Sequence, residues 1–322
     1  MSSPPRRAGL IVNPRSGKGS GKGQALAERL KGDSGISLHV IEHFEHLDDV
    51  IDEMAREQVT DLFISSGDGT IQEILTRIAE RQPFARQPRI GLLPHGTTNL
   101  SANDLGFVSR SLDAQAHFLQ SLEARTLATR NTIRCANPGD GKVRHGMFVA
   151  TGAMAVATLY CQRAFNEQGV KGQWAVAKTL LTAVRKYLFS AADAGDEARF
   201  DRPYAIEVDA HGRRYAGGTQ LLQMSTTLDT LLLKCHPFWG GKTAPIRTTV
   251  IPYPVPAVMR WMLPVMYGGE SHASPPGSVS FCSEELSVSS DVMFVIDGEF
   301  FPPPVGEPLR LETGPLFTFV RG

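Results

Sequence analysis

The chain has 322 residues, of which 42% are hydrophobic and 20% are charged, so it is long enough for about two globular domains with sizeable cores. Lys and Arg together number 33, as do Asp and Glu, so no net charge attracts nucleic acid or an anionic membrane, and no nucleic-acid partner is expected. The cysteines form no CxxC pair and no apolar run is long enough to span a bilayer, which argues against a zinc site, a disulfide framework and a membrane-spanning protein.

The first third of the chain alternates strand-like and helix-like segments. The pattern predicts strands at 8–13, 36–43, 61–65 and 89–94, and helices at 24–31, 47–58 and 70–81. In the third helix the apolar residues recur at helical spacing and predict one buried stripe. Strands separated by helices in this way indicate a mostly parallel sheet with helices on its faces.

The pattern changes after about residue 125. Strand candidates with turn residues between them predominate, and two longer helices are predicted at about 153–167 and 173–189. This composition predicts a second, largely antiparallel domain. We therefore expect an α/β domain at 1–125, completed by the strand candidates in 305–322, and a β-rich domain at 126–304.

The loop after the first strand, NPRSGKGSGKG (13–23), combines four glycines with Lys18 and Lys22. Glycine lets backbone amides approach an anion closely, and the N-terminus of the following helix favours negative charge. The loop lacks both the GxxxxGK[ST] and the GxGxxG spacing, so a flexible connector is an equal alternative.

The loop after the third strand, SSGDGT (65–70), holds Asp68 between two glycines. Simple N-capping of the next helix would explain Asp68, but a cap does not require glycine on both sides. Gly67 and Gly69 favour a ligand close to the backbone, with Thr70 facing phosphate and Asp68 facing magnesium.

The loop after the fourth strand, LPHGTTNLSANDLG (93–106), again places Gly, Thr and Asn at a strand end. The alternative is an ordinary strand-to-helix connection capped by Thr98 or Asn99. Ligands of open α/β sheets bind beyond the carboxyl ends of the strands, so the three loops are expected to lie together.

NPRSGKG, SGDGTIQE and LPHGTTN, in this order, resemble the nucleotide-binding signatures of the diacylglycerol kinase catalytic family, which includes bacterial soluble lipid kinases and sphingosine kinases. IDGEF (296–300) is similar to the DGE motif of that family, whereas GDGT alone also occurs in NAD kinases and, in related form, in phosphofructokinases. The resemblance implies an NAD kinase/phosphofructokinase-like α/β N-terminal domain with a mostly parallel sheet, followed by a largely antiparallel, β-rich lipid-substrate domain.

The resemblance also implies roles for individual residues. Glu299 would be the general base at the acceptor hydroxyl, with Asp297 beside it, and magnesium would be bound by Asp68 and Asp229. The residues implied to contact ATP are Asn13, Ser16, Gly17, Ser66, Gly67, Asp68, Gly69, Thr70, Glu73 and Thr97.

The chain departs from the family pattern at three places. Ser66 replaces the first glycine of GGDGT, and Leu100 stands where Asp often follows the Asn of the third motif. In bacterial members an acidic segment of the second domain binds a structural magnesium, but the corresponding segment here, 226–240, has only Asp229 as a carboxylate. Whether that second metal site exists stays open.

The segment 250–269 is rich in Met, aromatic residues and proline. It could touch a bilayer or line an acyl pocket, but its lack of a basic face favours a helix buried on the second domain. His39, His43 and His46 lie close in sequence, yet they do not share one helical face, so a structural role is favoured over metal binding.

The sequence thus predicts an ATP- and Mg²⁺-dependent lipid kinase, cytoplasmic and peripherally associated with the membrane where its lipid substrate lies. The alternatives are phosphorylation of a soluble nucleotide, as in NAD kinases, and a non-catalytic nucleotide- or lipid-binding regulator. The acceptor lipid and the choice between monomer and homodimer are not fixed by the sequence.

Overall fold

The computed structural model describes most of the chain and divides into two compact units. The first unit comprises Met1–Arg130 and Pro315–Gly322, and the second comprises Asn131–Gly314. Gly19 and most of the helix predicted at 173–189 lie outside the described residues, which are 6–18, 21–107, 111–121, 126–166, 177–179, 181–182, 185–186, 200–269 and 274–322.

The first unit contains a parallel sheet. β1 lies between β2 and β3, and β3 pairs with β4, in each case in parallel register. The strands are β1 (Ala8–Val12), β2 (Ile36–Val40), β3 (Asp61–Ser66) and β4 (Arg89–Pro94). The parallel sheet predicted from the strand and helix alternation is confirmed.

Helices connect these strands. α1, α2 and α3 follow β1, β2 and β3, and the short α4 and α5 follow β4. Their bounds are α1 (Lys22–Leu30), α2 (Leu47–Arg56), α3 (Asp68–Arg81), α4 (Leu100–Leu105) and α5 (Leu112–Ser121). Burial of the apolar face of α1 against β1 and β3 removes Leu26, Leu30 and Phe63 from water, which is the main favourable contribution to packing.

The second unit is largely antiparallel. β10 pairs with β7, β8 and β11, β11 pairs with β12, and β14 pairs with β7 and β15, all in antiparallel register. The strands lying within this unit are β6 (Arg144–Gly146), β7 (Phe148–Gly152), β8 (Tyr204–Ala210), β9 (Arg213–Ala216), β10 (Thr219–Thr226), β11 (Ile246–Pro252), β12 (Val279–Ser283), β13 (Glu285–Ser290), β14 (Phe294–Ile296) and β15 (Glu299–Phe301). The predicted antiparallel character of this half is therefore confirmed.

Two further strands contribute residues to both units because they contain the boundaries. β5 (Thr126–Cys135) contains the first boundary, and β16 (Leu309–Arg321) contains the second. The early part of β16 pairs antiparallel with β13. Its last residues pair in parallel with β4, at Phe319 with Ile90 and Val320 with Gly91.

Two helices of the second unit are described along their length: α6 (Ala153–Asn166) and α7 (Val258–Tyr267). In α7 only Val265 is buried, whereas Leu263 is 61% exposed and Tyr267 is 43% exposed. The helix favoured for this segment is therefore present, but the expectation that it is buried is wrong, because it is only partly buried. Among the described residues, no helix combines the length and apolar character needed to cross a bilayer.

Candidate functional site

The loops after β1, β3 and β4 lie together at the carboxyl edge of the parallel sheet. The backbones of Gly67 and Gly96 approach so closely that a Cβ on Gly96 would lie 2.3 Å from the Cα of Gly67. A Cβ on Gly67 would lie 3.6 Å from the Oγ of Ser16. A side chain at Gly96 would force these loops apart, so glycine is required there for the close approach, whereas a Cβ on Gly67 would make ordinary contacts.

Polar side chains connect the same loops. The Nδ2 of Asn13 donates to the Oγ1 of Thr70 at 2.9 Å, which joins the first loop to the second. The Oγ of Ser16 donates to the carbonyl oxygen of His95 at 3.5 Å, joining the first loop to the third. Four of the residues implied to contact ATP, Asn13, Ser16, Gly67 and Thr70, are thus brought together within the first unit.

Asp68 is the first residue of α3 and is only 8% exposed. Its carboxylate accepts hydrogen bonds from the backbone amides of Leu100 at 2.9 Å and Ser101 at 3.0 Å. Burial raises the pKa of Asp68 above its usual value, although these amide hydrogen bonds oppose the rise. Asp68 therefore caps α4, a neighbouring helix, and not α3 as simple N-capping would have it.

The expected caps of α4 have other roles. Asn99 precedes the helix with a φ of 55° and makes no side-chain capping bond to it. Its amide instead closes the turn, accepting from the backbone nitrogen of Gly96 at 2.7 Å and donating to the Gly96 carbonyl at 2.9 Å. Asp68, from the second loop, thus caps α4, which is the role expected of Thr98 or Asn99 in the third loop.

The remaining residues implied to contact ATP occupy varied environments. Gly17 has a φ of 58°, a conformation that favours glycine. The hydroxyl of Ser66 is buried and has no hydrogen-bond partner among the described residues. Glu73 forms an ion pair with Arg77 along α3. Gly69 lies in the first turn of α3, and half-buried Thr97 lies in the turn before α4.

His95 was not predicted from the sequence, yet it lies at the centre of the three loops. Its Nδ1 is 2.8 Å from the Oγ of Ser65, and the ring is only 5% exposed. Burial, with a smaller contribution from the charge of Lys22, lowers its pKa to about 4, so the ring is neutral at physiological pH. A Cβ on Gly23 would lie 2.6 Å from the same Ser65 oxygen, so α1 also packs closely here.

A cavity of about 320 Å³ opens beside the first loop and is lined by Asn13, Arg15 and residues 41–45. His43 is part of that lining, and its ring meets that of His46 edge to face at 6.5 Å between centroids. The Nε2 of His39 forms a hydrogen bond with the Oγ of Ser37, at 3.1 Å. Within the described part of the chain, no cluster of His, Cys, Asp or Glu could hold a metal ion.

In the second unit, Asp297 and Gly298 form the two-residue turn between β14 and β15. Both have positive φ, 48° and 92°, as this kind of hairpin turn requires. The buried carboxylate of Asp297 accepts from the amides of Met147 at 3.0 Å and Phe148 at 2.9 Å. Glu299, the first residue of β15, is exposed. The hairpin thus uses Asp297 for its own structure and presents Glu299 to solvent.

Asp229 lies in the same unit and is exposed. Its Oδ1 is 3.6 Å from the Nζ of Lys242 and 3.7 Å from a guanidinium nitrogen of Arg247. Magnesium prefers several oxygen ligands and is repelled by cations. These surroundings do not fit a protein-held magnesium ion at Asp229.

Comparison with known protein families gives a match that lies within the first unit. Residues 7–130 match the family described as "Diacylglycerol kinase catalytic domain". The chain is 38% identical over 100 residues to the "Probable lipid kinase YegS-like" of Klebsiella pneumoniae (strain 342), covering 30% of this chain and 32% of that protein. A protein of the same name from Enterobacter sp. (strain 638) is 35% identical over 99 residues, again 30% and 32% of the two lengths. The matched part is therefore about a third of each curated relative.

The fold is similar over a greater length. A diacylglycerol kinase structure from Bacillus anthracis str. Sterne superposes with a TM-score of 0.64, covering 100% of this chain and 98% of that one at 12% identity. At that identity the similarity shows a shared fold. The predicted fold class, an α/β half followed by a β-rich half, is confirmed by it.

Proposed function

We propose that the protein is an ATP-dependent lipid kinase that transfers the γ-phosphoryl group to a lipid hydroxyl, because residues 7–130 match the diacylglycerol kinase catalytic domain family. The observation that supports this most directly is the convergence of the three loops at Gly67, Gly96 and Asn13. In this proposal the first unit binds the nucleotide, and the second binds a diacylglycerol- or sphingoid-like acceptor.

Phosphoryl transfer depends on positioning the phosphates and neutralising their charge. Glycine in the first and second loops would let phosphate oxygens approach the backbone closely, and α3 adds the positive end of its dipole. We assign phosphate contacts to the region of Ser16, Gly67 and Thr70, and the nucleoside to the cavity lined by Asn13 and residues 41–45. Asp68 supports this arrangement by holding α4 in place.

Magnesium would supply charge neutralisation on the phosphates when ATP is bound. Asp68 is the carboxylate nearest to that role, but both of its oxygens already accept amide hydrogen bonds. We propose that the nucleotide phosphates provide most of the ligands of the ion, with Asp68 contributing a remaining lone pair or acting through water.

Glu299 is the proposed general base. It is exposed on β15 and therefore available to accept a proton from the acceptor hydroxyl, whereas Asp297 is committed to the Met147 and Phe148 amides. A positioned base contributes about 10²- to 10⁴-fold in rate. Glu299 therefore takes the catalytic role, and Asp297 holds the turn that carries it.

Contact with the membrane surface is proposed through α7, because the substrate of a lipid kinase lies in the bilayer. The helix exposes Leu263 and Tyr267, and its charged residue, Arg260, is basic and exposed. An apolar face beside a basic side chain suits a bilayer that contains anionic lipids.

The experiment that tests the activity is transfer of labelled phosphate from ATP to a panel of lipid alcohols in micelles, with NAD as a soluble acceptor. The lipids are diacylglycerol, sphingosine, ceramide, monoacylglycerol and phosphatidylglycerol. Glu299→Gln should lose about 10²- to 10⁴-fold in transfer while still binding ATP. Glu307→Gln, a change at an exposed glutamate of the same unit, serves as the matched control and should transfer normally.

Three other outcomes of the transfer experiment would change the proposal. Label on NAD but on none of the lipids would replace the proposal by an NAD kinase-like activity. ATP binding without transfer to any acceptor would identify a non-catalytic regulator. Full transfer by Glu299→Gln would remove Glu299 from the role of base.

A further inference from the structure

The segment 226–240, which follows β10, contains Asp229 as its carboxylate and is contacted by a buried arginine from β11. Arg247 lies opposite Thr226 in the β10–β11 register and is 8% exposed. Its guanidinium donates to the carbonyl oxygen of Leu228 and lies 3.7 Å from the Oδ1 of Asp229. The carbonyl of Leu228 and the carboxylate of Asp229, which are adjacent in sequence, thus both lie near the guanidinium of Arg247.

The surroundings of Arg247 are those of a buried cation with a specific partner. The guanidinium carbon lies 5.7 Å from the ring centroid of Phe238, which belongs to the same segment and is 7% exposed. Burying a charge is costly unless it is paired and hydrogen-bonded, and the Leu228 carbonyl and Asp229 carboxylate meet that need. Lys242 also approaches Asp229, at 3.6 Å, but its side chain is 68% exposed and contributes little by comparison.

We infer that Arg247 is the built-in cation of this segment and takes the place that the family resemblance gives to a structural magnesium ion. The guanidinium binds the two kinds of oxygen, a backbone carbonyl and a carboxylate, that a hard metal ion would otherwise bind. The second unit therefore folds without a metal. This inference is independent of the proposed lipid kinase activity.

The first test measures the thermal unfolding of the full chain without nucleotide, in EDTA and in MgCl₂. The melting temperature of the wild-type protein should be the same in both, because no protein site gains a ligand on folding. A melting temperature that falls in EDTA and recovers with MgCl₂ would overturn the inference, and this arm requires no variant.

The second test removes the charge. Arg247→Met should lower the melting temperature by about 5 °C or more, because it leaves the Leu228 carbonyl without its donor and Asp229 without its buried partner. Arg247→Lys should restore part of the loss, since a point charge can replace the charge but not the planar hydrogen bonding. Lys242→Met is the matched control and should unfold like the wild type.

A double-mutant cycle separates this pairing from general packing. If Arg247 and Asp229 act as a pair, the losses from Arg247→Met and Asp229→Asn should sum to more than the loss in the double variant. Additive losses would contradict the inference, as would equal losses for Lys242→Met and Arg247→Met. If Arg247→Met does not fold, the comparison of Arg247→Lys with Lys242→Met and the EDTA arm decide the question.

Discussion

His95 has a neutral imidazole ring buried between the three loops of the first unit. Its pKa is lowered to about 4 from the ordinary 6.5. As the pH falls below 6.5, the unfolded chain takes up a proton before the folded chain does, so folding loses stability between pH 6.5 and 4. The loss is at most about 3 kcal/mol, from the size of the pKa difference. Above pH 6.5 the contribution is constant.

Replacing His95 should change how steeply the free energy of unfolding falls with pH. His95→Gln should lower stability at neutral pH, where the bond to Ser65 is altered, but should show a shallower fall between pH 6.5 and 4 than the wild type. Denaturant unfolding at a series of pH values measures this slope. His117→Gln, at an exposed histidine of the same unit, should keep the wild-type slope. Equal slopes for His95→Gln and the wild type would show that the pKa of His95 is not lowered by folding.

Asp297 and Glu299 are two positions apart, but loss of charge should destabilise the protein only at Asp297. Asp297→Asn should lower the free energy of unfolding by about 1–3 kcal/mol, because a neutral amide oxygen cannot accept from both the Met147 and Phe148 amides as well as a carboxylate does. Glu299→Gln should leave stability unchanged, since the side chain is exposed. Unfolding curves beside the transfer assay measure both effects. If Asp297→Asn keeps full stability yet abolishes transfer, the base would be Asp297 instead.

The position of helix α4 depends on Asp68, a residue that lies outside the helix. The helix has only 6 residues, which is too few to be stable in isolation, so its position requires tertiary contacts. Asp68 provides one by accepting from the first two amides of the helix. The carboxylate thereby joins the start of α3 to the start of α4.

Asp68→Asn should therefore loosen α4 before it affects the rest of the unit. We expect a loss of about 1–2 kcal/mol in stability, together with faster hydrogen exchange at the Leu100 and Ser101 amides. Hydrogen exchange read by NMR or mass spectrometry measures the local effect. Asp49→Asn, at an exposed acidic residue in the first turn of α2, is the control and should leave those amides protected. Unchanged exchange in Asp68→Asn would mean that packing alone holds α4.

The proposed contact of α7 with a membrane surface can be tested at Leu263. Leu263→Gln should weaken binding to phosphatidylglycerol-rich vesicles by about tenfold, since a leucine inserted into the bilayer contributes roughly 1.5–3 kcal/mol. Leu263 is 61% exposed, so the melting temperature should not change. Co-sedimentation with the vesicles measures binding, and Leu127→Gln, at a leucine that is 48% exposed, is the control. Equal binding by both variants would remove α7 from the proposed membrane contact.

For the molecule as a whole, the regular elements of the first unit were predictable because each has a local signal. The strand predicted at 89–94 is β4, and the helix predicted at 70–81 begins two residues earlier, at Asp68. Asp297 and Gly298, an Asp-Gly pair typical of hairpin turns, do form the turn between β14 and β15. In each case the element is indicated by residues close together in the sequence, through their apolar periodicity or their preference for turns.

What could not be predicted depends on residues distant in sequence. Nothing near Asp68 in the sequence indicates that it caps α4, and nothing near Asp229 indicates Arg247. His95 gave a weak signal, an imidazole in a turn otherwise made of Gly, Thr and Asn, but its contact with Ser65 requires the sheet to be in place. The exposure of α7 was not anticipated, because an apolar composition alone does not distinguish a buried helix from a partly exposed one.

The last strand has a consequence for how the protein is made. Residues Pro315–Gly322 belong to the first unit, and β16 completes its sheet by pairing with β4 at Ile90 and Gly91. While the ribosome is still synthesising the second unit, that flank of β4 has no partner strand and presents free backbone hydrogen-bonding groups. The first unit is thus completed only after the second has been synthesised, and nascent chains are exposed to mispairing at β4 until β16 emerges.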